Sequence, residues 1–79
     1  MTVNQAKIEE VVMALLSLNM FEDRGATRAW KGLDWEVMDR LHARGWISDP
    51  KSKAKSVIVT PEGKEAALEL FRKHFEATG

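Results

Sequence analysis

The chain has 79 residues, 12 Lys and Arg against 12 Asp and Glu, a formal net charge of zero and no cysteine. That length fits one small domain over 1–79, which buries only about 60% of its unfolded surface. Without cysteine there is no disulfide framework, thiolate zinc site or thiol nucleophile. A 44% hydrophobic and 30% charged composition is that of a folded globular chain rather than a disordered one. No apolar run approaches the ~20 residues that span a bilayer, and Met1-Thr2-Val3-Asn4-Gln5 lacks the basic-then-apolar layout of a secretory leader. The expected compartment is the cytoplasm, with no membrane partner.

Thr2 to Met20 reads as a helix. Ile8, Val11, Val12, Leu15 and Leu16 recur at spacings of three and four and form a core-facing stripe, while Lys7, Glu9, Glu10 and Ser17 fall off it. Thr2-Val3-Asn4-Gln5 has the form of a capping box, with Asn4 as a rival cap. Phe21 to Leu33 is irregular, bracketed by Gly25 and Gly32, and reads as one extended strand or a single helical turn. Within it Trp30 is expected to cover an edge of the core; a base-stacking role would need it exposed.

Asp34 to Arg44 is the second helix, capped by Asp34, with Trp35, Met38 and Leu41 on its apolar side and Val37 beside them. Gly45 at C′, Trp46 at C″ and Leu41 at C3 are placed for a Schellman ending. Trp46-Ile47-Ser48 then reads as a short strand, and Asp49-Pro50 as a turn. Lys51 to Lys55 forms a basic loop, and Ser56-Val57-Ile58-Val59-Thr60 is the clearest strand in the chain. The two strands make an antiparallel hairpin with Val57 and Val59 on one face and Ile58 on the other. Thr60 caps the last helix, Pro61 sits at N1 and Glu62 meets the dipole, with Gly63 at the unusual N3 position. Ala67, Leu70, Phe71, His74 and Phe75 are its stripe, and the end frays near Thr78-Gly79.

From Val37 onward the chain resembles winged helix-turn-helix proteins. The resemblance is carried by Met38-Asp39-Arg40-Leu41-His42-Ala43-Arg44-Gly45-Trp46-Ile47 and by Lys55-Ser56-Val57-Ile58-Val59-Thr60-Pro61-Glu62-Gly63. It implies an α+β winged-helix-like domain in which helix 34–44 is the recognition helix and 51–55 the wing. A full helix-turn-helix also needs a positioning helix, for which only 21–33 is available. The whole chain further resembles a short bacterial family of unknown function through Arg28 to Trp35 and Lys53 to Val57. That resemblance carries no activity across.

The zero net charge hides an asymmetry of −3 over 1–23, +4 over 24–60 and −1 over 61–79. The central excess is the footprint expected of a phosphate-binding surface. Asp34, Glu36 and Asp39 make the second helix a poor phosphate binder, so contact with double-stranded DNA would be led by Lys51, Lys53 and Lys55, with Arg28, Lys31, Arg40 and Arg44 in support. The same three lysines also read as a solvated loop that keeps strand edges from pairing.

Catalytic arrangements do not emerge. His42 and His74 lie on different helices without further ligand types, so no metal site is expected, and His74 reads as a hydrogen-bonded core-edge residue. Gly25-Ala26-Thr27 is no phosphate loop, Ser17, Ser48, Ser52 and Ser56 lack an evident base, and Glu9-Glu10 and Glu22-Asp23 are expected to be solvated. The expectation is a non-enzymatic nucleic-acid-binding accessory or regulatory module without a cofactor. The alternative is a protein-interaction module on the same scaffold. The apolar bulk of three Trp, three Phe and four Met further suggests a homodimer through the first or last helix, with Met13, Met20 and Phe75 at the contact.

Overall fold

Asn4, rather than Thr2, caps the first helix in the computed structural model, which describes residues 2–32 and 34–77. Leu33 and the expected frayed end at Thr78-Gly79 lie outside those residues. Helix α1 runs Gln5–Leu16 and starts with Asn4 Oδ1 accepting from Lys7 N at 3.0 Å. A single 3₁₀ turn, Ser17–Asn19, closes it. Its buried stripe is Glu9, Met13 and Leu16, with Ala14 toward the side. The stripe is thus rotated from the expected one. Ile8, Val11 and Val12 are only half-buried, Ile8 and Val12 packing at the rim of the core, and Leu15 is exposed; Glu9 takes the inward position, where Arg40 and Arg44 meet its carboxylate.

The stretch expected to be one strand or one helical turn is a β-hairpin instead. β1 (Phe21–Asp23) and β2 (Ala26–Trp30) pair antiparallel through a two-residue turn at Arg24-Gly25. Both turn residues have positive φ, 53° and 82°, the backbone signature of a type I′ hairpin turn. No positioning helix stands among the described residues of 21–33.

Helix α2 (Trp35–Ala43) begins with Asp34 Oδ2 accepting from Val37 N and ends as the sequence anticipates. Gly45 has φ 78°, its N–H donates to His42 O at 2.9 Å, and Trp46 N donates to Leu41 O at 3.2 Å, completing the Schellman pair. Val37, Met38 and Leu41 are buried, whereas Trp35 is 56% exposed. Six residues on a helix of 3.6 per turn put Trp35 about 120° away from Leu41, off the face that Val37 and Leu41 share.

The expected hairpin around the basic loop forms, with shorter ladders. β3 is Ser56–Ile58, and Ile47 bridges Val59 antiparallel. Ser48 N donates to Ile58 O at 2.8 Å and Thr60 N to Trp46 O at 3.0 Å. β3 also pairs with β2, giving the sheet order β1-β2-β3. Helix α3 (Pro61–Phe75) follows, with Thr60 Oγ1 accepting from Gly63 N at 2.9 Å.

The core is Met13 and Leu16 from α1, Val37, Met38 and Leu41 from α2, Ala29, Val57 and Val59 from the sheet, Ile47, and Ala67 from α3. Alternation along the strands therefore turns one sheet face to the helices. The other carries Phe21, Arg28 and Ile58 in one row across the three strands, with Trp30 opposite Ser56 beside it. That second face looks outward: Trp30 is 52% and Ile58 41% exposed. Trp30 thus does not cover the core edge as expected. Met13 is fully buried, so it is core rather than a dimer contact, while Phe75 and half-buried Met20 reach the surface.

Candidate functional site

Four of the seven basic residues singled out in the sequence are held by internal partners. Arg44 Nε donates to Glu9 Oε1 at 2.8 Å, and Arg40 Nε lies 3.2 Å from Glu9 Oε2. Arg40 Nη2 donates to Gln5 Oε1 at 2.7 Å, and the Arg44 guanidinium stands 4.7 Å over the Trp46 ring. Glu9 is therefore not solvated as expected; it is a buried carboxylate that fastens α1 to α2. The outward side of α2 keeps Trp35, Glu36, His42 and Ala43, with half-buried Asp39. An acidic surface of this kind opposes phosphate.

Arg28 belongs to the sheet. Its Nε donates to Ser56 Oγ at 2.7 Å and its Nη2 to Ser56 O at 3.0 Å, crossing from β2 to β3. Lys31 ties down the basic loop. Its Nζ donates to Pro50 O and Ser52 O, each at 2.6 Å, and its backbone N–H to Lys55 O at 3.3 Å. Lys51 N donates to Asp49 Oδ1 at 2.9 Å, an Asx turn that opens the loop beside buried Pro50.

Lys51, Lys53 and Lys55 are left as the exposed charges of this loop. No ion pair or side-chain hydrogen bond among the described residues engages their ammonium groups. The loop joins β3 at Ser56, the register partner of Trp30, so the three lysines stand at the sheet end that carries the exposed indole. Trp30 stacks on Phe21 with ring centroids 4.9 Å apart and planes 30° from parallel. Phe21 escaped the sequence reading. The signal for it was the Arg24-Gly25 turn, which sets the register that brings Phe21 to the face of Arg28 and Trp30.

The two histidines stay apart. His42 Nδ1 is 2.9 Å from Ile47 O at the end of α2. His74 Nε2 is 3.0 Å from Glu10 Oε1, which also accepts from Lys73 Nζ at 3.1 Å, joining α3 to α1. These two hydrogen bonds, that of His74 foremost, hold the Glu10 carboxyl below its ordinary value. Among the described residues no group of three or more His, Asp or Glu converges on a metal-sized site, and no helix is long and apolar enough to cross a membrane.

Residues 4–77 match the family model described as "Domain of unknown function (DUF6429)", and the chain belongs to that family. It is similar to the "Uncharacterized protein y4hR" of Sinorhizobium fredii, 47% identical over 75 residues that cover 95% of this chain and 97% of the relative. No solved structure matches it.

Proposed function

We propose that this chain, a member of a family whose description assigns no activity, is a non-enzymatic nucleic-acid-binding accessory or regulatory module on a winged-helix-like scaffold, making its contact through the wing at 51–55. The carrying observation is the state of the three wing lysines: exposed, free of acidic partners among the described residues, and presented by a loop that Lys31 pins at two carbonyls. A pinned loop loses less conformational freedom on binding than a mobile one, so its charges act at lower entropic cost. The arrangement β2, α2, the Ile47–Val59 bridge, β3 and α3 supports the winged-helix likeness, with a β-hairpin where a positioning helix would stand. The reading thus assigns phosphate contact to the wing and not to insertion of α2 into a groove, since Arg40 and Arg44 face Glu9.

Titration of the purified protein against random duplex DNA at two salt concentrations tests this. Three neutralised phosphates give a slope of roughly −2.7 in log affinity against log salt, and replacing the three lysines by alanine removes most of it. Equal affinity of the wild type and the triple variant at low salt sinks the reading.

A second reading is favoured by a different surface. Leu15 on α1, Leu18 in the turn after it, and Leu68 and Phe75 on α3 are exposed by 39–69%, on elements that pack against each other. Apolar exposure there suits a protein partner or a second copy of the chain. A concentration-independent monomer mass by light scattering excludes the second copy.

A further inference from the structure

We propose that the outward face of the sheet is a stacking platform for single-stranded nucleic acid, with Trp30 as the residue that receives an unpaired base. This rests on the nucleic-acid reading above and adds the form of the ligand. Trp30 is half exposed although it lies within a strand, and its ring is braced against Phe21 at 4.9 Å. A braced indole has little rotamer freedom left to lose when a base settles on it. From the adjoining row Arg28 reaches to Ser56 with two bonds, which fixes its guanidinium at the register partner of Trp30. The wing lysines leave the sheet at the Trp30–Ser56 end, so a strand stacked on the indole has cations beside it for its phosphates.

The same features select against a duplex on this face. In a duplex the faces of each base are taken by its neighbours, whereas a flat exposed aromatic needs a base that is free to stack.

The experiment is fluorescence anisotropy with a labelled short oligothymidine and with a labelled duplex, at about 50 mM and about 200 mM salt. It compares the wild type with Trp30→Ala, Trp30→Phe and the triple Lys51→Ala, Lys53→Ala, Lys55→Ala variant, each checked for wild-type circular dichroism. Trp30→Ala is expected to lose about tenfold in affinity for oligothymidine and nothing for the duplex, Trp30→Phe to recover most of the loss, and the lysine variant to lose affinity for both. Oligothymidine binding that is lysine-dependent but indifferent to Trp30→Ala overturns the platform and leaves the wing reading standing. No binding of either probe at the lower salt overturns both. Loss of a concentration-dependent dimer in Trp30→Ala, with nucleic-acid affinity unchanged, makes the face an interface between copies and overturns the platform.

Discussion

Glu9 Oε1 accepts from Arg44 Nε at 2.8 Å, and the residue that receives this bond is only 6% exposed. One acid on α1 thereby holds the two arginines of α2 that a groove-binding helix would have offered to phosphate. Removing one partner of a buried pair strands the other, which costs more than the pair itself is worth. Both arginines keep over a third of their side-chain surface in solvent, which softens that penalty. Glu9→Gln is therefore expected to lower stability by about 1–2 kcal/mol. The reading is a shift of the urea midpoint at unchanged slope. An unshifted midpoint would place this bridge with surface pairs of no net worth.

The Arg24-Gly25 turn separates backbone strain from steric fit. Gly25 has φ 82° and nothing within 4 Å of where a Cβ would stand. Gly25→Ala thus meets no neighbour and suffers only the left-handed backbone, about 1–2 kcal/mol. Arg24 already bears that conformation with φ 53°. Arg24→Asn, which restores the Asn-Gly pair favoured in type I′ turns, is expected to recover part of the same cost and to raise the melting temperature. A lowered melting temperature for Arg24→Asn would contradict the turn assignment.

Gly63 is the opposite case. It sits at the third position of α3, where its intrinsic preference is poor, and it is buried. A Cβ there would stand 2.8 Å from Trp46 C, 2.9 Å from its Cα and closer still to its carbonyl oxygen. The obstacle is backbone, which a rotamer change cannot move. Thr60 clamps the same junction, its Oγ1 donating to Gly45 O at 2.7 Å and lying 3.2 Å from Trp46 O. Gly63→Ala is expected to destabilise by about 1–3 kcal/mol through overpacking, despite the better helix propensity of alanine. A gain in stability by thermal melting would mean that the junction gives way.

What the sequence made legible is what local chemistry decides. Asp34, Thr60-Pro61 and Gly45 mark helix ends through single caps and one left-handed residue, and Val57, Ile58 and Val59 alternate as a strand on a core must. What stayed hidden depends on contacts far apart in the chain. Glu9 stands beside Glu10 and close to Lys7 in sequence, like a solvated position, and is inward only because Arg40 and Arg44 arrive from the second helix, more than thirty residues away. The hairpin at 21–30 was obscured because Arg is an unusual first residue for a type I′ turn. With its register unknown, the outward direction of Trp30 could not be inferred. The wing lysines were legible as a charge cluster, but the internal commitments of Arg28 and Lys31 were not, since their partners are a strand serine and loop carbonyls.

The junction of α1 and α3 carries an acid-sensitive link. Glu10 Oε1 accepts from both His74 Nε2 and Lys73 Nζ, and the His74 bond is the larger reason that the Glu10 carboxyl titrates below its ordinary 4.5. A carboxyl lowered in the folded state contributes stability that is present above the unfolded value. That contribution fades as pH falls below about 4.5 and through the folded value. Glu10→Gln removes the charge at every pH. Melting temperatures of the two proteins are therefore expected to differ near neutrality, wild type higher, and to converge as the pH is taken below about 4.5. A gap of constant size from neutral to acid pH would show that Glu10 contributes by packing and neutral hydrogen bonding, with its charge playing no part in joining the two helices.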